Sequence, residues 1–160
     1  MTTLRGDLDA VDLQLVRLLV QDGRRSYADL ARETGLSTSA AHQRVRRLEE
    51  RGIVTGYTAT VDPDALGLPL AAFVSVKPTD PAAADDAPDR LRHLSAIEAC
   101  YSVAGEESWI LTVRVSSPAE LEALLQEVRT AAGVSTRTTV VLSTPWAGRT
   151  ATPDGTRTAD

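Results

Sequence analysis

Apolar positions recur at helical spacing through the first third of the chain and at alternate positions through much of the rest. Asp9 can cap a first helix, with Asp12 three residues on and Leu8 placed to staple against Leu13. Val11, Leu15 and Leu18, flanked by Val16 and Leu19, make a broad apolar stripe, and Gly23 is expected to supply a left-handed stop. Ser26 with Asp29 starts a second, shorter helix that turns Leu30 and Ala31 inward and ends at Gly35. Leu36 is the expected buried residue of the turn, and Ser37 caps a third helix running to Gly52. At 100° per residue, Ala41, Val45 and Leu48 share one stripe of that helix. Thr38, Ser39, His42, Gln43 and Arg46 fall on the opposite one.

The pattern then changes period. Ile53 to Val61 alternates enough to predict a strand, ended by Asp62 and Pro63, and Gly67, Leu68 and Pro69 open a new unit. Strands are predicted over Ala71–Lys77, Ile97–Ala104, Trp109–Val115 and Ser135–Thr144. Between the first two, Thr79 to Pro88 is acidic and rich in Ala and Pro, with a short helix starting near Pro88 and using Leu91 and Leu94. Ser117, Pro118 and Glu120 form a capping box with proline at the first helical position. The helix that follows buries Leu121, Leu124, Leu125 and Val128 and closes at Gly133. The order βαββαβ predicts a ferredoxin-like sandwich with two helices on one face of an antiparallel sheet. Its other face needs a cover, and a second copy of the chain is the natural one. Pro145 to Asp160 lacks apolar periodicity and is expected to be a disordered tail.

Charge refines this picture. The net charge is −5, which argues against a protein that coats nucleic acid indiscriminately. Between Arg24 and Arg51, however, seven arginines face four acids, a local balance of +3 that leaves −8 for the remainder. A basic helix pair on an acidic body suits a site-selective DNA binder. Ser37, Thr38, Ser39, His42 and Gln43 are short or hydrogen-bonding residues near the start of the third helix, where a major groove would be read. Arg46 is placed for a guanine or a phosphate and Arg47 for a phosphate, Arg44 flanks the core stripe as a structural residue, and Glu49 and Glu50 keep the helix exit off the phosphates.

Other chemistries are poorly supplied. The chain has two histidines and one cysteine, with no metal-spaced cluster, no lysine-bearing phosphate loop and no nucleophile grouping, so neither an enzyme nor a cofactor is expected. Cys100 is expected to be buried in its strand. No apolar run approaches the ~20 residues of a membrane span, and the first ten residues do not read as an export signal, which makes the cytoplasm the expected location. A metabolite-sensing assembly protein whose helix pair serves protein contacts is the alternative to a DNA binder.

Leu8 to Leu66 resembles the N-terminal part of Lrp/AsnC (feast/famine) transcription regulators. The resemblance rests on Asp22-Gly23-Arg24, Gly35-Leu36-Ser37, Arg44-Val45, Leu48-Glu49, Gly52-Ile53-Val54 and Gly56-Tyr57. Cys100 to Gly105 and Gly133 to Thr138 resemble that family's effector-binding and assembly module, termed RAM. The implied organisation is α+β: a winged-type helix-turn-helix three-helix domain over 1–53, a linker strand over 54–68 that pairs with its symmetry mate, a ferredoxin-like βαββαβ (RAM) domain over 69–144, and a tail over 145–160. The implied partners are a near-palindromic double-stranded operator and a small effector, commonly an amino acid. The implied assembly is a homodimer, which in that family often builds further into octamers. Carried over, effector binding points to Gly105, Glu106, Glu107, Ser108 and Trp109, with Thr136 and Thr138. The family loop often has an aspartate before the aromatic. Here Ser108 precedes Trp109, so Glu106 or Glu107 would have to supply that charge.

Overall fold

The computed structural model describes residues 8–80, 86–148 and 150 of the 160-residue chain. They fall into two units, one ending at Thr60 and the other spanning Val61–Ala147. The expected disordered tail lies largely outside the described residues, as do residues 81–85 of the acidic Ala/Pro stretch.

Three helices make the first unit: α1 (Ala10–Gln21), α2 (Tyr27–Thr34) and α3 (Thr38–Glu50). Each begins where a side-chain oxygen satisfies an otherwise orphaned amide. Asp9 accepts from the Asp12 amide at 2.8 Å, Ser26 from Asp29 at 3.1 Å and Ser37 from Ala40 at 3.2 Å. Gly35 ends α2 with φ 69°, and a Cβ placed there would meet nothing within 4 Å, so the backbone conformation rather than space selects glycine. Leu15, Leu30, Ala31, Ala41, Val45 and Leu48 form the core, with Leu36 partly buried against it. Each of the larger ones contributes about 1.5–3 kcal/mol by burial.

Gly23 departs from expectation. Helix α1 ends at Gln21 on an extended Asp22, and Gly23 is not in the left-handed region. A Cβ at Gly23 would stand 3.2 Å from Cδ1 of Tyr57, so the residue is small because that ring packs on it. The Tyr57 hydroxyl donates to Glu49 at 2.8 Å, which ties the chain beyond α3 back to its last turn.

Ile53–Val61 is not a strand in the single chain. A strand requires a ladder partner, and this stretch has none among the described residues. No hairpin wing follows α3 among them either, so this unit is a three-helix arrangement.

The second unit is the expected sandwich. Strands β1 (Leu70–Pro78), β2 (Ile97–Ser102), β3 (Trp109–Val115) and β4 (Val134–Val140) form an antiparallel sheet in the order β2-β3-β1-β4. Helices α4 (Ala87–Leu91) and α5 (Pro118–Ala132) lie between β1 and β2 and between β3 and β4 in sequence. Val74, Val76, Trp109, Leu111 and Val113 pack with Leu91, Leu121, Leu124 and Val128 in one core. The alternate positions of β1 and β3 therefore occupy the other face, where Phe73 is 48% exposed. Strand β4 ends four residues earlier than expected, because Val141 makes the last bond to Ala71 and β1 begins at Leu70. Cys100, expected to be buried, is exposed on the edge strand β2.

Candidate functional site

The amphipathic division of α3 is sharp. Ala41, Val45 and Leu48 are at most 1% exposed, while Ser37, Thr38, Ser39, His42, Gln43, Arg46 and Arg47 are all at the surface. Three apolar residues at helical spacing fix the rotation of the helix, and that rotation presents the polar set as one face. Ser37 spends its oxygen on the Ala40 amide, which makes it a cap first. His42 meets the ring of Tyr27 edge to face, with centroids 4.7 Å apart. Arg46 pairs with Glu50 one turn on at 2.9 Å, an exposed ion pair that gives way easily to a stronger anion.

Behind that face stands a brace that sequence reasoning identified only by its arginine. Arg44 bonds Asp9 at 2.6 Å and Asp12 at 2.8 Å, joining α3 to the first turn of α1. Asp12 is 4% exposed, the one buried charged residue among those described. The Asp12 amide and then the Arg44 guanidinium hold the Asp9 carboxyl below its ordinary 3.8, and the two carboxylates in turn raise Arg44. A side-chain bond from Gln14 to the Glu33 carbonyl at 2.7 Å locks α1 to α2 as well. The polar face of α3 is thus carried on a bundle in which α1 is tied to both α2 and α3.

On the second unit, a depression of about 230 Å³ opens on the sheet face away from the helices. Ser75 and Lys77 of β1, Ser135, Thr136 and Arg137 of β4, and Glu106 and Glu107 of the β2–β3 loop line it. Register brings them together: Ser75 pairs with Arg137 and Lys77 with Ser135. The loop is carried there because the Ser108 amide donates to the Val76 carbonyl at 3.0 Å, and its carbonyl accepts from Val103 at 3.1 Å. Arg137 forms an ion pair with Glu107. Two cations, two carboxylates and two serine hydroxyls within one hollow can hold a small molecule that carries both charges.

The expected effector residues do not all meet there. Glu106, Glu107 and Thr136 line the depression, and Gly105 belongs to the same loop. Thr136 also accepts at its hydroxyl from Arg129 of α5 at 3.1 Å. Trp109 is 4% exposed within the helix-side core, paired across the ladder with Val76. Thr138 pairs with buried Val74 on that same side. Ser108 acts through its backbone and is not among the lining residues. Ser75, Lys77, Ser135 and Arg137 were missed. Their signal lay in strand alternation: in β1 they are the polar partners of Val74 and Val76, and in β4 they alternate with the threonines. Among the described residues, no group of three His, Cys, Asp or Glu side chains converges as a metal site would, and no helix is long and apolar enough to cross a membrane.

Comparison with known proteins agrees with both units. Residues 8–49 match the AsnC-type helix-turn-helix domain, and residues 71–151 match the Lrp/AsnC ligand binding domain. The HTH-type transcriptional regulator LrpA of Mycobacterium tuberculosis is 54% identical over 142 residues, covering 89% of this chain and 95% of its own. The feast or famine regulatory protein of M. tuberculosis, solved in complex with L-methionine, superposes with a TM-score of 0.89 at 53% identity, over 91% of this chain and 99% of the other. Escherichia coli AsnC superposes with a TM-score of 0.80 at 29% identity, over 91% and 99%.

Proposed function

The chain belongs to the Lrp/AsnC family of transcriptional regulators, and from that premise we propose that the outer face of α3 reads an operator while the charged depression takes an amino-acid-like effector. It is a regulator and not an enzyme. The observation that carries the DNA reading is the division of α3 into a fully buried apolar stripe and a polar, cationic outer one. Thr38, Ser39, His42 and Gln43 read base edges from the first turns, Ser37 sets the helix start, and Arg46 and Arg47 bind phosphates. The surface ion pair with Glu50 opens as Arg46 meets its phosphate.

For the effector, Lys77 and Arg137 with the flanking serines take the carboxylate, and Glu106 or Glu107 takes the ammonium. The acid expected at position 108 is thereby supplied two or one residues earlier, with Gly105 and Thr136 completing the rim. Binding of L-methionine by the Mycobacterium tuberculosis protein supports an amino acid as the class. An ion pair such as Arg137–Glu107 suits this ligand, because a zwitterion offers each half of the pair the opposite charge it needs when the two part.

The protein works as a cytoplasmic homodimer, with octamers built from dimers. Phe73, Ile110 and Tyr101 lie together on the uncovered sheet face, through the pairing of Phe73 with Thr112 and of Tyr101 with Ile110. Phe73 and Tyr101 are 48% and 55% exposed in the single chain. A second copy covers them, and residues 54–68 gain in that dimer the ladder partner they lack alone. Light scattering is expected to return at least twice the 17.1 kDa of one chain; a monomeric mass would exclude this assembly. The function itself is tested by gel shift on the protein's own upstream region against random duplex, with and without amino acids. Preference for the upstream region, altered by at least one amino acid, is the expected result, and equal binding to both duplexes refutes it.

A further inference from the structure

Tyr27 is the first residue of α2, directly after the Ser26 cap, and its ring lies against the imidazole of His42 on α3. The ring planes meet at 86°, edge to face, with centroids 4.7 Å apart. The contact spans the helix-turn-helix on its solvent side. Neither residue belongs to the core cluster of Leu15, Leu30, Ala31, Ala41, Val45 and Leu48. Tyr27 is 38% exposed, so its ring reaches the surface instead of closing over in the interior.

That placement asks for another role. An exposed histidine on a helix samples several rotamers, and any contact that needs one of them pays for the ordering. A neighbouring aromatic face selects one rotamer beforehand. Tyr27 is itself well placed to do so, because its helix start is held twice over. Ser26 accepts from the Asp29 amide and donates to the Asp29 carboxylate at 2.6 Å. His42 lies four residues beyond Thr38, about 6 Å along the helix axis. It therefore sits in the first turns, the part of a recognition helix that reaches base edges.

We propose that Tyr27 is a positioning residue: it aims His42 at one base pair and so sets the preference at one position of each half-site without touching a base itself. This rests on the reading of α3 as the DNA-reading helix. An imidazole offers one donor and one acceptor in its plane, so its discrimination between bases depends on its direction. Tyr27 supplies that direction through its ring, and its hydroxyl is dispensable.

The test is selection from a randomised duplex pool by the full-length protein, its Tyr27→Phe, Tyr27→Ala, Tyr27→Leu and His42→Ala variants, and the Tyr27→Ala/His42→Ala double variant. Tyr27→Phe is expected to keep the wild-type motif. Tyr27→Ala and His42→Ala are expected to relax the same position, by about two- to tenfold, the range an edge-to-face ring contact represents. The double variant relaxes it no further. Tyr27→Leu, which keeps bulk without a ring edge, follows Tyr27→Ala and serves in its place should that variant fail to fold. Three results overturn the assignment: an unchanged motif in Tyr27→Ala or Tyr27→Leu with affinity lowered equally for all sequences, relaxation at different positions in the Tyr27 and His42 variants, or loss in Tyr27→Phe equal to that in Tyr27→Ala. The last would assign the hydroxyl to a phosphate. A wild-type protein that selects no motif overturns the reading of α3 together with this proposal, whereas a wild-type motif indifferent to Tyr27 overturns the proposal alone.

Discussion

Arg44 braces the polar face of α3 from behind. It sits on α3 among the residues that would touch DNA, yet its guanidinium turns inward to Asp9 and Asp12. Removing it leaves Asp12, 4% exposed, as an uncompensated buried carboxylate. Arg44→Ala is therefore expected to destabilise the helical unit by about 3 kcal/mol, measured by denaturant melts of the full protein followed by far-UV circular dichroism. Acid acts on the same brace. The folded carboxyl of Asp9 ionises below its ordinary 3.8, so its contribution is complete above that value and is lost as pH falls through the depressed one. Asp9→Asn, which keeps a capping oxygen, should flatten the acid limb of stability below pH 3.8 and change little at neutral pH. A wild-type acid limb that survives in Asp9→Asn would assign the effect elsewhere. Sequence reasoning placed Asp12 in a cap and Arg44 beside the core, but the bond between residues 32 positions apart depends on how the helices cross.

Among the elements, those written by local chemistry were legible and those defined by a distant partner were not. Caps at Asp9, Ser26, Ser37 and Ser117 are read from residues within three positions, and all four accept the expected amide. The stripe of Ala41, Val45 and Leu48 needs only the helical period. Gly23 needed more, because the Tyr57 ring that fixes its size is 34 residues away. On β4 the register with β1 sets Ser135 and Arg137 beside Lys77 and Ser75, and Thr138 beside buried Val74, a pairing between strands 58 to 64 residues apart that no local pattern spells out. Ile53–Val61 alternates like a strand, but it has no ladder partner among the described residues. The Tyr57 contact gives a prediction at this scale. Burial, and then the bond to Glu49, push the Tyr57 phenol up to about 12, so docking of this arm is fully supported below pH 10 and weakens as pH rises from there to about 12. Ultraviolet titration is expected to show an ionisation near 12 that disappears in Tyr57→Phe and moves down in Gly23→Ala, where the new methyl displaces the ring. An unmoved step in Gly23→Ala would contradict the packing account.

For the whole molecule, sequence pattern and charge distribution pointed the same way as the fold. A chain of net charge −5 concentrates a +3 segment on one helix pair, so phosphate is attracted to one surface and repelled by most others. The sheet unit matches the Lrp/AsnC ligand binding domain, and the proposed dimer face and the charged hollow stand at neighbouring positions of the same strands. In the proposed complex α3 contacts DNA through its outer stripe, with Gln43 reading and Arg46 and Arg47 holding phosphate. The most direct measurement is the salt dependence of affinity for an operator fragment and for random duplex, by fluorescence anisotropy with wild type, Gln43→Ala and Arg46→Ala. Arg46→Ala is expected to weaken binding to both duplexes and to reduce the slope of log K against log salt by about one. Gln43→Ala should cost about 1–3 kcal/mol on the operator alone and leave the slope unchanged. Wild-type slopes and operator preference retained in both variants would contradict the account.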